Sequence, residues 1–213
     1  MRRLDLSNYD PIARVYAEQI YHELRDKPFD REILDRFAQR VRGLGRVCDL
    51  GCGPGQVARY LRNRGVDVFG LDLSSGMLAE AKRLNPDIAF AQGDMHALGI
   101  RSDALGGIAA FYSIIHARRD RVAAVLYEMQ RVLRDGGLLL IAFHLGTDAI
   151  HATDFHGQAV DLEATLFTNE EMTGYLQAPG FSIEEALERA PYPDVEYQSQ
   201  RGYILAAKRQ KAA

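Results

Sequence analysis

The feature that most constrains the fold of this chain is a rhythm. Short, unbroken apolar runs alternate with amphipathic helical stretches from about residue 46 to residue 143. The runs are RVCDL (46–50), VDVFGL (66–71), IAFAQ (88–92), GIAAFY (107–112) and LLLIAF (138–143). Between them, Val57, Ala58 and Leu61, then Met77, Leu78, Ala81 and Leu84 over 75–84, then Val122, Val125, Leu126, Met129 and Leu133 over 120–134 recur at helical spacing. A strand with one wet face would alternate apolar and polar residues. Continuous runs separated by helices predict a parallel sheet covered on both faces, with right-handed crossovers.

The flanks extend this pattern. Residues 12 to about 24 read as a helix, with Ile12, Val15, Tyr16, Ile20 and Leu24 on one face. A second helix follows Lys27-Pro28, carries Ile33, Leu34, Phe37 and Val41, and ends at Gly43 and Gly45. After residue 143 the rhythm breaks, and 146–167 reads as a long loop of the functional kind. Thr168-Asn169-Glu170-Glu171 is a capping box that opens a helix to about Ala178, and strands are expected at 181–187 and 203–208. One domain of 213 residues results: a helical cap over 1–44, a core over 45–143 and a loop with closing strands over 144–213.

Bulk properties weigh against several classes. The net charge of −3 carries no footprint for nucleic acid or an acidic membrane surface. Asp5 interrupts the place where a secretion signal needs its apolar stretch, and no run of about 18 apolar residues predicts a membrane span. The two cysteines, Cys48 and Cys52, flank a turn and read as small buried side chains, not a disulfide framework. The expectation is a soluble cytoplasmic protein, monomeric or homodimeric, with a small-molecule partner and neither nucleic acid nor membrane.

In a sheet of this type ligands bind beyond the carboxyl ends of the strands. Gly51-Cys52-Gly53-Pro54-Gly55 sits at the end of the first strand. A dinucleotide site wants G-x-G-x-x-G, and here the sixth position is Gln56. Asp49 is also ill-suited to a pyrophosphate, since like charges at close range repel by a kcal/mol or more, about what Coulomb's law gives in a polar site. A ligand with an ammonium group and no phosphate suits that carboxylate, and S-adenosylmethionine is one. The competing reading of Asp49 is a carboxylate that caps the following turn. Asp72 ends the second strand, where a carboxylate accepts from ribose hydroxyls. Asp94 follows the third strand, placed to accept from an adenine amino group, with Met77 and Met95 able to sandwich the purine. Alternatively, Asp72 is an N-cap, Asp94 a turn residue and the methionines core filling.

Together VCDLGCGPG, GLDLSSGML, GDMHAL and LRDGGLLLIAF resemble the class I S-adenosylmethionine-dependent methyltransferases. The resemblance implies a Rossmann-like α/β sandwich with a seven-stranded sheet in order 3-2-1-4-5-7-6, strand 7 antiparallel. It implies S-adenosyl-L-methionine as cofactor, with Asp49, Gly51 and Gly53 at the methionine moiety, Asp72 at the ribose, and Asp94 and Met95 at the adenine. Cys52, Gly55, Leu73 and Met77 join that set, Ser113 faces the methionine end, and Tyr16 closes over the cofactor. One departure is the opening of the fourth strand, ALGG, where the family has an acidic FD.

A sulfonium methyl is already activated, so the protein mainly aligns the acceptor and excludes water. The acceptor wall is expected from the loops after strands four and five, with Tyr112, His116, His144, His151 and His156. His116 and His144 are the catalytic candidates, as neutral imidazoles able to act as base or orient a hydroxyl. Asp154 and Asp161 lie near, but the spacings match no metal pattern, and no metal is expected. The segment PYPDVEY, 191–197, should also reach the ligand face. The function predicted is in-line methyl transfer to a small molecule. Methylation of tRNA or protein, a nicotinamide-dependent oxidoreductase and a non-catalytic cofactor-binding regulator are the alternatives.

Overall fold

A computed structural model describes residues 9–210. Asp5 lies outside the described residues. The elements run α1 (Ala13–Ile20), α2 (Pro28–Val41), β1 (Val47–Leu50), α3 (Gln56–Arg62), β2 (Val68–Asp72), α4 (Ser75–Leu84), β3 (Ala89–Gln92), β4 (Leu105–Phe111), α5 (Val122–Val132) and β5 (Leu133–His144). Then follow β6 (Ala149–Phe155), β7 (Gln158–Thr165), α6 (Asn169–Gln177), β8 (Phe181–Arg189) and β9 (Arg201–Lys208).

Seven strands form one sheet in the order β3-β2-β1-β4-β5-β9-β8. β3, β2, β1, β4 and β5 are mutually parallel, and β9 lies antiparallel between β5 and β8. This is the expected order once the extra strands β6 and β7 are set aside. The unbroken apolar runs serve two cores at once. Leu139 and Ile141 of β5 pack with Val125, Leu126 and Met129 of α5 and Met172 and Leu176 of α6. Leu138, Leu140 and Ala142 point the other way, into Leu34 and Phe37 of α2, Val57 and Leu61 of α3, and Leu78 of α4. Each such side chain contributes about 1.5–3 kcal/mol on burial, so the sandwich is held from both faces.

Local signals explain the element ends. Ser74 accepts from the Met77 N–H (3.1 Å) and caps α4, while Thr168 and Glu171 form the capping box of α6. The first helix is shorter than expected, ending at Ile20 with a separate 3-10 turn over Glu23–Asp26. α5 also stops early, at Val132, because Leu133 already adopts extended backbone and pairs with Leu105.

The largest departure is 146–167, which is not a loop. β6 and β7 form an antiparallel hairpin outside the main sheet. Its two-residue connection is His156-Gly157, at φ 49° and 80°. Two consecutive positive φ values are what a tight type I′ hairpin turn demands. Ile150 faces Ala164 and Ala152 faces Leu162 across the ladder, giving one apolar side.

Candidate active site

The chain leaves β1 at Leu50 and makes its glycine turn with Gly51, Gly53 and Gly55 all at positive φ (70°, 51° and 85°). At Gly51 the need is also spatial: a Cβ there would lie 2.3 Å from Ser113 Cβ. Ser113, just past β4, donates to the Leu50 carbonyl at 2.5 Å. The turn keeps its N–H groups for the protein. Those of Gly51 and Cys52 donate to the Leu71 carbonyl (2.7 and 3.0 Å), that of Gly53 to Asp72 Oδ2 (2.8 Å), and that of Gly55 to the Cys52 carbonyl (2.9 Å). A phosphate cradle needs such groups free and aimed at the ligand. This turn offers close approach without that anion nest.

Asp49 is 2% exposed and accepts from the Ala58 N–H of α3 at 2.8 Å. Burial pushes its carboxyl up to about 7, against the pull of that N–H. It lies behind the turn, outside the lining of the cavity described next. Gly55, the residue before α3, is also outside that lining, and a Cβ there would collide with Asn85 and Phe90. Both therefore shape the turn from behind it.

In front of the turn lies a cavity of about 580 Å³ at the carboxyl ends of β1, β2, β4 and β5. Ten of the twelve residues expected at the cofactor line it: Tyr16, Gly51, Cys52, Gly53, Asp72, Leu73, Met77, Asp94, Met95 and Ser113. Asp72 accepts from Gly53 and, through Oδ1, from the Ser74 N–H (2.8 Å), while burial pushes its carboxyl up. Asp94 accepts from the His96 N–H at 2.8 Å. Met77 and Met95 are only 2% and 8% exposed, so each is core and wall together.

The roof has two parts. The N-terminal segment is pinned by Asp10, whose carboxylate accepts from the Ser74 and Ser75 hydroxyls and the Gly76 N–H. It carries Tyr9 and Tyr16 over the opening. Tyr16 stacks on Phe155 of β6 at 5.2 Å, joining this segment to the hairpin. The hairpin contributes its apolar side, Ile150, Ala152, Leu162 and Ala164.

His116 and His144 both line the cavity, and their surroundings differ. His116 Nδ1 lies 3.3 Å from the Glu163 carbonyl, which only accepts, so the proton sits on Nδ1 and Nε2 accepts from the Tyr9 hydroxyl at 3.2 Å. Burial lowers its pKa and keeps it neutral. His144 Nδ1 meets the Arg201 guanidinium, which only donates, and lies 2.6 Å from Ser199 Oγ. Burial, with Arg201 beside it, pushes its pKa down to about 3. Its remaining nitrogen then carries the proton, making His144 a donor and not the base it was free to be in the sequence. His151 and His156 are absent from the lining: His151 pairs with Glu163 on the exposed side, and His156 occupies the hairpin turn. Among the described residues no three His, Cys, Asp or Glu side chains converge as a metal site requires.

Several lining residues escaped sequence reasoning. Tyr9 opens the stretch YDPIARVYAEQI, in which only the second tyrosine, Tyr16, was expected at the cofactor. Glu23, Lys27 and Arg201 join Glu196, which lies in the segment 191–197 expected at the ligand face, in a buried ion-pair chain, with Lys27 2.5 Å from Glu23 and 3.5 Å from Glu196, and Arg201 3.2 Å from Glu196. Gln56 was visible only as a missing glycine. Its Nε2 donates to Glu23 (3.1 Å), and its Oε1 is buried in the cavity wall with no partner among the described residues. A buried amide oxygen without a partner costs about 1–3 kcal/mol, which a ligand N–H would recover. The donor set thus fits an S-adenosylmethionine-shaped ligand: acceptors at Gln56, Asp72 and Asp94, a turn without an anion nest, and sulfur and apolar walls between.

Residues 47–137 match the family described as "Methyltransferase domain". The chain is 32% identical to a malonyl-[acyl-carrier protein] O-methyltransferase of Enterobacter lignolyticus, over 60% of this chain and 51% of that protein. It therefore spans about half the length of that relative. It is 28% identical to a demethylmenaquinone methyltransferase of Beutenbergia cavernae, over 94% of this chain and 88% of that one. An S-adenosylmethionine-dependent methyltransferase of Methanosarcina mazei shares the fold with a TM-score of 0.70 at 17% identity, over 78% of this chain and 93% of that chain. The sheet order, the cavity at its switch point and these matches agree: residues 47–137 resemble a methyltransferase domain, carried on the sheet that the S-adenosylmethionine-dependent methyltransferase structure shares.

Proposed function

We propose that this protein transfers the methyl group of S-adenosyl-L-methionine to a small-molecule acceptor held in the cavity between the glycine turn and the hairpin. The observation that carries this reading is the pairing of Asp72 and Asp94 with the unpartnered Gln56 Oε1 around a turn whose N–H groups are already used. Acceptors for ribose, adenine and ammonium are on hand, and the N–H groups of the turn are not free for a phosphate. Asp72 holds the ribose, Asp94 and Met95 the adenine, and Gly51, Gly53 and Ser113 the methionine end. When bound, the sulfonium supplies an electrophilic methyl. The chain's own residues keep water out through Tyr16 and Phe155 and orient the acceptor through His116 and His144.

Asp49 and Gly55 act from behind the turn in this reading, fixing where α3 starts. The helical cap 1–44, the core 45–143 and the remainder 144–213 work as one domain, as a monomer or homodimer in the cytoplasm, with neither nucleic acid nor membrane as partner. The charge of −3 supports this, as does the absence, among the described residues, of a helix long and apolar enough to cross a membrane. Calorimetric titration with S-adenosylhomocysteine and with NADH tests the cofactor. Saturable binding of the first alone is expected, and binding of NADH alone would overturn the reading.

A further inference from the structure

We propose that the methyl acceptor is an uncharged, mainly apolar ring compound bearing a phenol- or enol-type hydroxyl, and that His116 Nε2 takes the proton of that hydroxyl where Tyr9 now sits. This rests on the methyl-transfer reading above.

The first support is an internal stand-in. Tyr9 is itself a phenol, and its hydroxyl occupies the accepting nitrogen of His116 at 3.2 Å. Behind it, the Glu163 carbonyl fixes the ring through Nδ1. A base held from behind with its lone pair toward the cavity is the arrangement that activates a hydroxyl. An acceptor phenol makes the same bond by displacing the Tyr9 side chain. The groups facing His116 are Tyr9, Glu163 of β7 and, further off, His144 of β5.

The second support is the division of labour between the histidines. His144 presents a donor because Arg201 occupies its Nδ1. One base and one donor in one cavity suit a hydroxyl, which gives one hydrogen bond and accepts another. The third is the wall. The hairpin side Ile150, Ala152, Leu162 and Ala164, with Ile115 beneath, offers apolar contact over an area suited to a ring.

Charge argues against the other acceptor classes. A carboxylate is already ionised at neutral pH, needs no base and wants a cation. The lysine and arginine of the lining are committed, Lys27 to Glu23 and Glu196 and Arg201 to Glu196. An ammonium would compete with Lys27 and Arg201 for Glu23 and Glu196, and on the hairpin Glu163 already pairs with His151.

The step balances. The acceptor oxygen passes its proton to His116 Nε2 while its lone pair forms the new O–CH₃ bond. The CH₃–S bond breaks, its electron pair stays on sulfur, and the sulfonium becomes a neutral thioether. The positive charge ends on the imidazolium, which returns the proton to solvent.

The test uses the full-length chain with S-adenosylhomocysteine present and 4-nitrophenol as probe, whose ionised form is coloured. At a pH below the probe's own pKa the neutral phenol should bind, and His116→Gln should bind it about tenfold more weakly, the loss expected when the hydrogen bond to Nε2 goes. Tyr9→Phe should bind it about fivefold more tightly, the competing hydroxyl bond being gone. Benzoate or benzylamine bound as tightly as 4-nitrophenol would overturn the acceptor class. Equal affinity for the neutral phenol in parent and His116→Gln would overturn the role of His116. If His116→Gln does not fold, the Tyr9→Phe affinity decides, and unchanged affinity there counts against the proposal. Failure of S-adenosylhomocysteine to bind is a separate result, which removes the methyl-transfer reading itself.

Discussion

The Gly53 N–H donates to Asp72 Oδ2 at 2.8 Å, so the ends of β1 and β2 are tied together across the mouth of the cavity. The other oxygen of Asp72 accepts from Ser74 at 2.8 Å, just ahead of α4. One carboxylate therefore sets the glycine turn and the start of a helix and places an acid in the cavity wall. Asp72→Ala should lose about 2 kcal/mol of stability, as two bonds to a charged acceptor go, and more than about tenfold in S-adenosylhomocysteine affinity. Urea denaturation and calorimetry read the two effects. Affinity equal to the parent's would contradict the ribose assignment.

Asp49 gives a pH signature. Its carboxyl rises from an ordinary 3.8 to about 7 on burial. Between those values the folded chain holds more protons than the unfolded one, so this group's contribution to stability falls as pH rises. Asp49→Asn keeps an oxygen for the Ala58 N–H and cannot ionise. Its thermal midpoint should gain on the parent's as pH rises from about 4 to about 7, then run level. A gap that stays constant across that window would show Asp49 to be ionised at no cost in the folded chain.

Much of this site was legible because its signals are local. The unbroken runs declared the parallel sheet, and Gly51, Asp72 and Asp94 fall at successive strand ends in a fixed order. What failed to show is non-local. Tyr9 meets His116 across 107 positions, and Asp30 meets Arg189 across 159. The hairpin was locally encoded, yet His156-Gly157 is a weaker turn signal than Asn-Gly, and Ala152 and Ala164 blur the alternation. Asp49 shows a different limit: a strand-end carboxylate can face the ligand or the following helix, and only the packing of α3 chose.

Asp30 is fully buried and stands 159 positions from its main partner. It accepts from Arg189 at 2.5 Å and from the hydroxyls of Tyr112 and Tyr203 at 3.2 Å, and those two hydroxyls lie 2.8 Å apart. Arg189 continues the chain to Glu196, which also holds Arg201 and Lys27. Removing one member leaves a buried charge uncompensated. Asp30→Ala should therefore cost about 3–5 kcal/mol in urea denaturation. A loss below about 1 kcal/mol, the range of exposed pairs, would mean that water reaches the network.

The contact between Gly51 and Ser113 separates two causes of strain. A Cβ on Gly51 would sit 2.3 Å from Ser113 Cβ and would also have to accept φ 70°. Gly51→Ala should destabilise by about 2–4 kcal/mol, combining overpacking with a strained backbone. Ser113→Gly removes the colliding atom along with the hydroxyl that donates to Leu50. If the collision dominates, the double variant should be more stable than Gly51→Ala alone, with a coupling of about 1–2 kcal/mol. If the backbone dominates, the two losses simply add. The double-mutant cycle, measured by thermal unfolding, therefore shows whether this glycine serves its φ or its neighbour, and the 2.3 Å approach says the neighbour.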